Sequence, residues 1–270
     1  MSPPLIYSVI VLTLSWAYAA FVFSRPERMN FFPWVMMIPG LTALAMKIAT
    51  ERSAKTLLQP FVGIRIRGPY IFAVCYPLLI IAACAVTSSF LGLATPNWSK
   101  VHTLVPRFGI VGLSVSILLI LGEEYGWRGY LLPELIRRHS PFVAATIVGI
   151  IWALWHAPLL YGLSSRQGTG SPFLVCAVQM AAVLCVSYPF AHAYIGSRSI
   201  VPGMIIHWLW NEYNPTVLGN LYRNRPGIME GSMLLINGEG VMGVALGLLF
   251  VLWFGRYARV RSDGDTVVTQ

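Results

Sequence analysis

Eight apolar runs separated by short polar breaks follow one another along the chain, near residues 5–23, 31–48, 70–93, 108–131, 142–163, 171–195, 200–221 and 239–255. A helix needs about 20 apolar residues to cross a bilayer, so the pattern predicts about eight transmembrane helices. The seventh run is interrupted by polar groups, and "NPTVLGNLYRNRPGIMEG" beyond it is expected to be loop or partly embedded chain. The first run contains Ala17-Tyr18-Ala19, which mimics a signal-peptidase site. No Lys or Arg precedes that run and it continues past the site, so it reads as a retained first span. Internal repeats and low-complexity segments are absent.

Composition agrees with this pattern. Of the 270 residues 56% are hydrophobic and only 11% charged, with a mean hydropathy of +0.67, whereas soluble domains carry about 25% charged residues. The expected fold class is all-α, a polytopic membrane protein of about eight transmembrane helices. Residues 1–270 form a single transmembrane domain in this reading.

The net charge of +9 does not indicate nucleic acid, because the basic residues stand singly in short loops. Their distribution bears instead on orientation. Lys47, Arg52, Lys55, Arg65, Arg67, Arg128, Arg137, Arg138, Arg198, Arg256, Arg259 and Arg261 fall on the side of the N-terminus. Arg25, Arg28, Lys100, Arg107, Arg166, Arg223 and Arg225 fall on the other. Both termini are therefore expected to be cytoplasmic in a multi-pass integral membrane protein. The four cysteines, Cys75, Cys84, Cys176 and Cys185, lie in apolar runs without metal-ligand spacing and read as packing residues.

Ionisable groups inside such runs stand out, since each costs roughly 2.5–3.5 kcal/mol or more at membrane depth. The stretch "GEEYGWRGYLLPEL" (122–135) places Glu124 and Arg128 four apart, on one helical face with the acid N-terminal. Glu123 is rotated by about 100° from Glu124 and is left without a local cation, which suits a general base or acid.

The next run, "IIWALWHAPLL", carries His156. Residues 123 and 156 are equidistant from "RRHSP", so a helical hairpin would set them at one depth. Pro158 leaves the carbonyl of Leu154 without its helical donor, which favours a kink and a wet pocket beside His156. In the seventh run, "IIHWLWNEY" places His207 and Asn211 four apart on one face, two donors that suit an oxyanion hole. By contrast, His102 and His139 read as loop and turn residues, His192 as a core histidine, and the tryptophans as packing and interface residues.

Together, "EEYGWR" (123–128), "WALWH" (152–156) and "HWLWN" (207–211) resemble the three motifs of the CAAX prenyl protease and bacteriocin-processing (Abi) family of intramembrane proteases. The resemblance covers roughly residues 108–215. It departs at Trp152, where the family usually has Phe, and only a reshaped pocket wall is expected from that. The resemblance implies an eight-helix core and an intramembrane endopeptidase. Glu123 and His156 would activate water, His207 and Asn211 would bind the oxyanion, and Glu124 with Arg128 would hold the first motif in place.

The implied partners are the lipid bilayer and a membrane-associated or lipidated peptide or protein. No cofactor is expected, and the cavity is expected to open on the cytoplasmic side. Zinc is the alternative, with Glu123, His156 and His207 as ligands, although HExxH is absent. Two other classes compete with a peptidase. One is a non-enzymatic bacteriocin-immunity or scaffold protein; the other is a transporter, which the missing internal repeat disfavours.

Overall fold

The computed structural model describes residues 2–50, 54–63, 67–106, 109–168 and 170–267, with backbone only for residue 54 and residues 259–267. Of the residues used for orientation, Arg52, Arg65 and Arg107 lie outside the described residues, as do the side chains of Arg259 and Arg261.

Helix α1 (Pro3–Phe23) leads through 3-10 turns (Pro26–Met36) into α2 (Met37–Thr50) and the short α3 (Ala54–Leu58). Then come α4 (Arg67–Phe90), α5 (Ile110–Gly126), α6 (Leu132–Ile136), α7 (Pro141–Gln167), α8 (Pro172–Ser197), α9 (Val201–Leu218), the short α10 (Met233–Ile236) and α11 (Val241–Val267). Among the described residues the one sheet is a small antiparallel pair, β1 (Ala94–Pro96) against β2 (Met229–Gly231). The protein is an all-α, polytopic membrane protein.

Among the described residues seven helical segments are long and apolar enough to cross a membrane: Pro3–Phe23, Pro26–Thr50, Arg67–Phe90, Ile110–Ile136, Pro141–Gln167, Pro172–Ser197 and Met233–Ala258. The remaining expected span is α9. It is helical and packs against α4, α5 and α8, but its polar side chains hold down its hydropathy. The second expected span also differs from a plain helix. Its first part is 3-10 and contains Pro26 and Pro33, each lacking the amide hydrogen that an α-turn requires. Regular α-helix starts only at Met37.

The core is continuous from Tyr7 in α1 to Ala258 in α11. Cross-links sort the helix ends. Pairing of β1 with β2, a bond from Arg166 to the Phe23 carbonyl and one from Asn224 to the Gln167 carbonyl collect the ends of α1, α4, α7 and α9 at one end of the bundle. At the other end, where both α1 begins and α11 finishes, the amide of Ile200 donates to the Pro60 carbonyl. All four cysteines are free, three of them buried.

Candidate active site

Close packing on one face of α5 aims its two carboxylates inward. Gly122 and Gly126 stand four apart, the small-residue spacing that lets membrane helices approach closely. A Cβ on Gly122 would lie 2.6 Å from the Met36 carbonyl oxygen, and one on Gly40 of α2 would lie 2.5 Å from the Gly122 oxygen. With that face pressed on α2, Glu123 and Glu124 between the glycines are buried, at 3% and 0% exposure.

The helix then widens into a π turn over Trp127–Leu131, where the Leu132 amide donates to the Trp127 carbonyl. Pro133 follows directly. A proline can neither donate to the carbonyl four residues back nor avoid crowding it, and the wider turn relieves that conflict. The expected continuous helix is thus α5, a π turn and α6 in line.

Glu124 is the electrostatic centre. Its Oε1 accepts from Arg128 Nη1 at 3.0 Å and from His207 Nδ1 at 2.9 Å. The Arg128 guanidinium is 1% exposed and lies 4.1 Å from the Trp152 ring centroid and 4.0 Å from that of Phe190. Cation–π contact on two faces compensates part of its lost hydration. On α9, a Cβ at Gly203 would come within 2.9 Å of Glu124 Oε2. Glycine there gives the carboxylate its space.

Glu123 has a different partner. Its Oε2 accepts from the indole Nε1 of Trp152 at 2.9 Å. Trp152 is therefore more than the altered pocket wall expected from the sequence, because phenylalanine has no such donor. Trp152 lies one turn nearer the hairpin than His156. A π turn spends an extra residue on a single turn, so the Glu123 arm is shorter than an α-helix of equal residue count and drops toward Trp152.

His156 is half-buried, and its Nδ1 lies 2.9 Å from the Trp152 carbonyl oxygen. A carbonyl oxygen only accepts, so Nδ1 carries the proton and the neutral ring keeps its lone pair on Nε2. The carbonyl of Leu154, left without a donor by Pro158, receives the indole N–H of Trp16 from α1 at 3.0 Å. Trp155 is tied to α1 as well, through Ser15 at 2.7 Å.

Glu123, His156, His207 and Asn211 all line one cavity of about 240 Å³. Glu124 and Arg128 stand behind its wall. The six residues singled out in the sequence are thus brought together in two layers, four facing the cavity and two supporting them. The remaining wall comes from Trp155 and Leu159 of α7, Asn214 and Pro215 of α9, and three connections: Phe32, Val35 and Met36 before α2, Gly219 to Tyr222 after α9, and Glu239 before α11. Those connections belong to the end of the bundle opposite both termini. The sequence alone puts the cavity mouth and the termini on one side of the membrane, whereas these walls lie at the bundle end away from both termini.

Glu239 was not singled out in the sequence, where it stands in "NGEG" at the edge of the last apolar run. Its Oε1 accepts from Trp210 Nε1 at 3.0 Å and its Oε2 from Gln179 Nε2 at 3.1 Å. Asn214 and Asn237 hold the loop that presents it: Asn214 Nδ2 donates to Asn237 Oδ1 at 2.8 Å, and the Gly238 amide donates to Asn214 Oδ1 at 3.0 Å. The only signal in the sequence was an isolated carboxylate beside an apolar run.

A structural or catalytic zinc takes at least three protein ligands. Among the described residues no three His, Cys, Asp or Glu side chains are grouped so as to hold a metal ion.

Fold and site define a class: a polytopic helical membrane protein with acid, imidazole and amide groups facing a cavity between its helices. Residues 105–212 match the family model described as Rce1-like, type II CAAX prenyl endopeptidase Rce1-like. Over 56 residues, 20% of this chain, the sequence is 46% identical to CAAX prenyl protease 2 of Methanococcus maripaludis, covering 21% of that protein. The matched stretch spans about a fifth of that curated relative's length. The matched residues 105–212 include Glu123, His156, His207 and Asn211.

Proposed function

We propose that the protein is an intramembrane endopeptidase that hydrolyses a peptide bond of a membrane-associated protein or peptide without a metal ion. The observation that carries this reading is that Glu123, His156, His207 and Asn211, from three helices, line one cavity. The family match supports the same class of reaction.

A water between Glu123 and His156 loses its proton to Glu123 as its oxygen attacks the carbonyl carbon of the scissile bond. The unprotonated Nε2 of His156 accepts the water's other hydrogen and orients it. Negative charge grows on the carbonyl oxygen, where Asn211 donates from its amide and His207 from Nε2. His207 already donates from Nδ1 to Glu124, so donating from Nε2 requires the imidazolium, which the Glu124 carboxylate stabilises. The intermediate collapses as the C–N bond breaks, and Glu123 returns its proton to the departing amine. Arg128 holds Glu124 in place.

Purified protein in liposomes, given membrane-anchored reporter peptides, tests the proposal. Cleavage by the wild type and its loss in Glu123→Gln and His156→Ala, with unchanged thermal unfolding, is the expected result. Undiminished cleavage by either variant would refute the roles assigned here.

A further inference from the structure

The charge of the cavity wall is one-sided. Glu123 and Glu239 both face the cavity, and among the described residues lining it there is no Lys or Arg. Arg128 is directed at Glu124, and the basic groups facing the cavity are the imidazoles of His207 and His156, the latter neutral in the mechanism above. Even with His207 protonated, two carboxylates meet one positive charge. The Asn214–Asn237 pair and the bonds from Trp210 and Gln179 fix the Glu239 carboxylate. The Tyr222 hydroxyl also lies against this carboxylate; with it as a third donor beside Trp210 and Gln179, part of the acceptor capacity of the two oxygens remains. A second, smaller recess, lined by Trp210, Asn211, Tyr222 and Glu239 among others, adjoins the first. Glu239 belongs to both.

We propose that Glu239 is a specificity-determining residue: it selects peptides carrying a lysine or arginine side chain beside the scissile bond and disfavours a free carboxylate there. The proposal rests on the peptidase reading of the same cavity. A cation entering the wall region of Glu239 gains a charge-assisted hydrogen bond to an acceptor already held in place, so little ordering of the protein is needed. An entering carboxylate meets two like charges with no compensating Lys or Arg.

Binding separates this idea from catalysis. Glu123→Gln protein, with Glu239 intact or as Glu239→Gln, is titrated in detergent with fluorescent peptides identical except for Lys, Gln or Glu beside the scissile position. With Glu239 intact, the Lys peptide should bind about tenfold or more tighter than the Gln peptide, and the Glu peptide weakest. Glu239→Gln, which keeps an acceptor for Trp210, should bring the three affinities within a fewfold of one another while leaving thermal unfolding unchanged. Equal affinities with Glu239 intact, or a preference that survives Glu239→Gln, overturn the proposal. Charge-selective binding without any cleavage by the wild type would instead overturn the peptidase reading and leave the role of Glu239 in recognition standing.

Discussion

His207 and Arg128, from different helices, meet on a single oxygen of Glu124, at 2.9 and 3.0 Å. The supporting layer behind the cavity is thus one shared carboxylate that fixes a group facing the cavity and is itself fixed by a buried cation.

Removing that cation leaves a buried carboxylate without its permanent counter-charge. Arg128→Ala should lower stability by about 3–5 kcal/mol, seen as reduced yield and a lower thermal midpoint in detergent, with activity lost alongside. A fully stable but inactive Arg128→Ala protein would place Arg128 in contact with substrate.

Trp152 gives a finer probe. Trp152→Phe keeps an aromatic face for Arg128 but removes the donor to Glu123, a bond to a charged group typically worth about 1.5–3 kcal/mol. The expected result is a kcat about tenfold lower or more, with KM nearly unchanged. A turnover equal to wild type would show that Glu123 is held by other contacts.

For metal dependence, the expected outcome is clearly less than one zinc per purified chain and full peptidase activity in a strong chelator. His207→Ala and Asn211→Ala should each lose about 10²–10³ in turnover, the usual effect of removing an oxyanion donor, and Glu123→Ala should lose more. Activity that vanishes with chelation and returns with zinc would reassign Glu123, His156 and His207 as ligands.

The Lys and Arg distribution favours cytoplasmic termini, which sets the cavity walls toward the opposite face of the membrane. Single cysteines at Ser2 and Tyr222, tested in intact cells with an impermeant thiol reagent after the native cysteines are replaced, should label at Tyr222 and not at Ser2. The reverse pattern would invert the chain and turn the cavity to the cytoplasm.

Much of this was legible because buried charge is conspicuous in an apolar sequence. Glu124 and Arg128 showed their pairing through their spacing, and His207 and Asn211 showed a common face in the same way. What escaped was geometry set by other segments. The π turn depends on Pro133 meeting the tightly packed α5, and the donor from Trp152 depends on how far that turn shortens the helix. Glu239 escaped because its neighbours Gln179, Trp210 and Asn214 are distant in sequence and only the fold collects them. Which end of the bundle supplies the cavity walls needed the path of every helix before it could be read.

The ion pair of Glu124 and Arg128 is complete within one helical segment, whereas His207 is made 83 residues later. During synthesis the fourth span therefore enters the bilayer with this pair already neutralised, which lowers the cost of those two charges. Helix α9, which falls short of the other spans in apolar character, gains its strongest polar anchor only on reaching that waiting carboxylate. Its seating and the completion of the cavity are then one event in biogenesis. Under the proposed mechanism, a chain in which α9 has failed to seat lacks His207 and Asn211 at the cavity, and an immature copy would be inert toward the proteins around it.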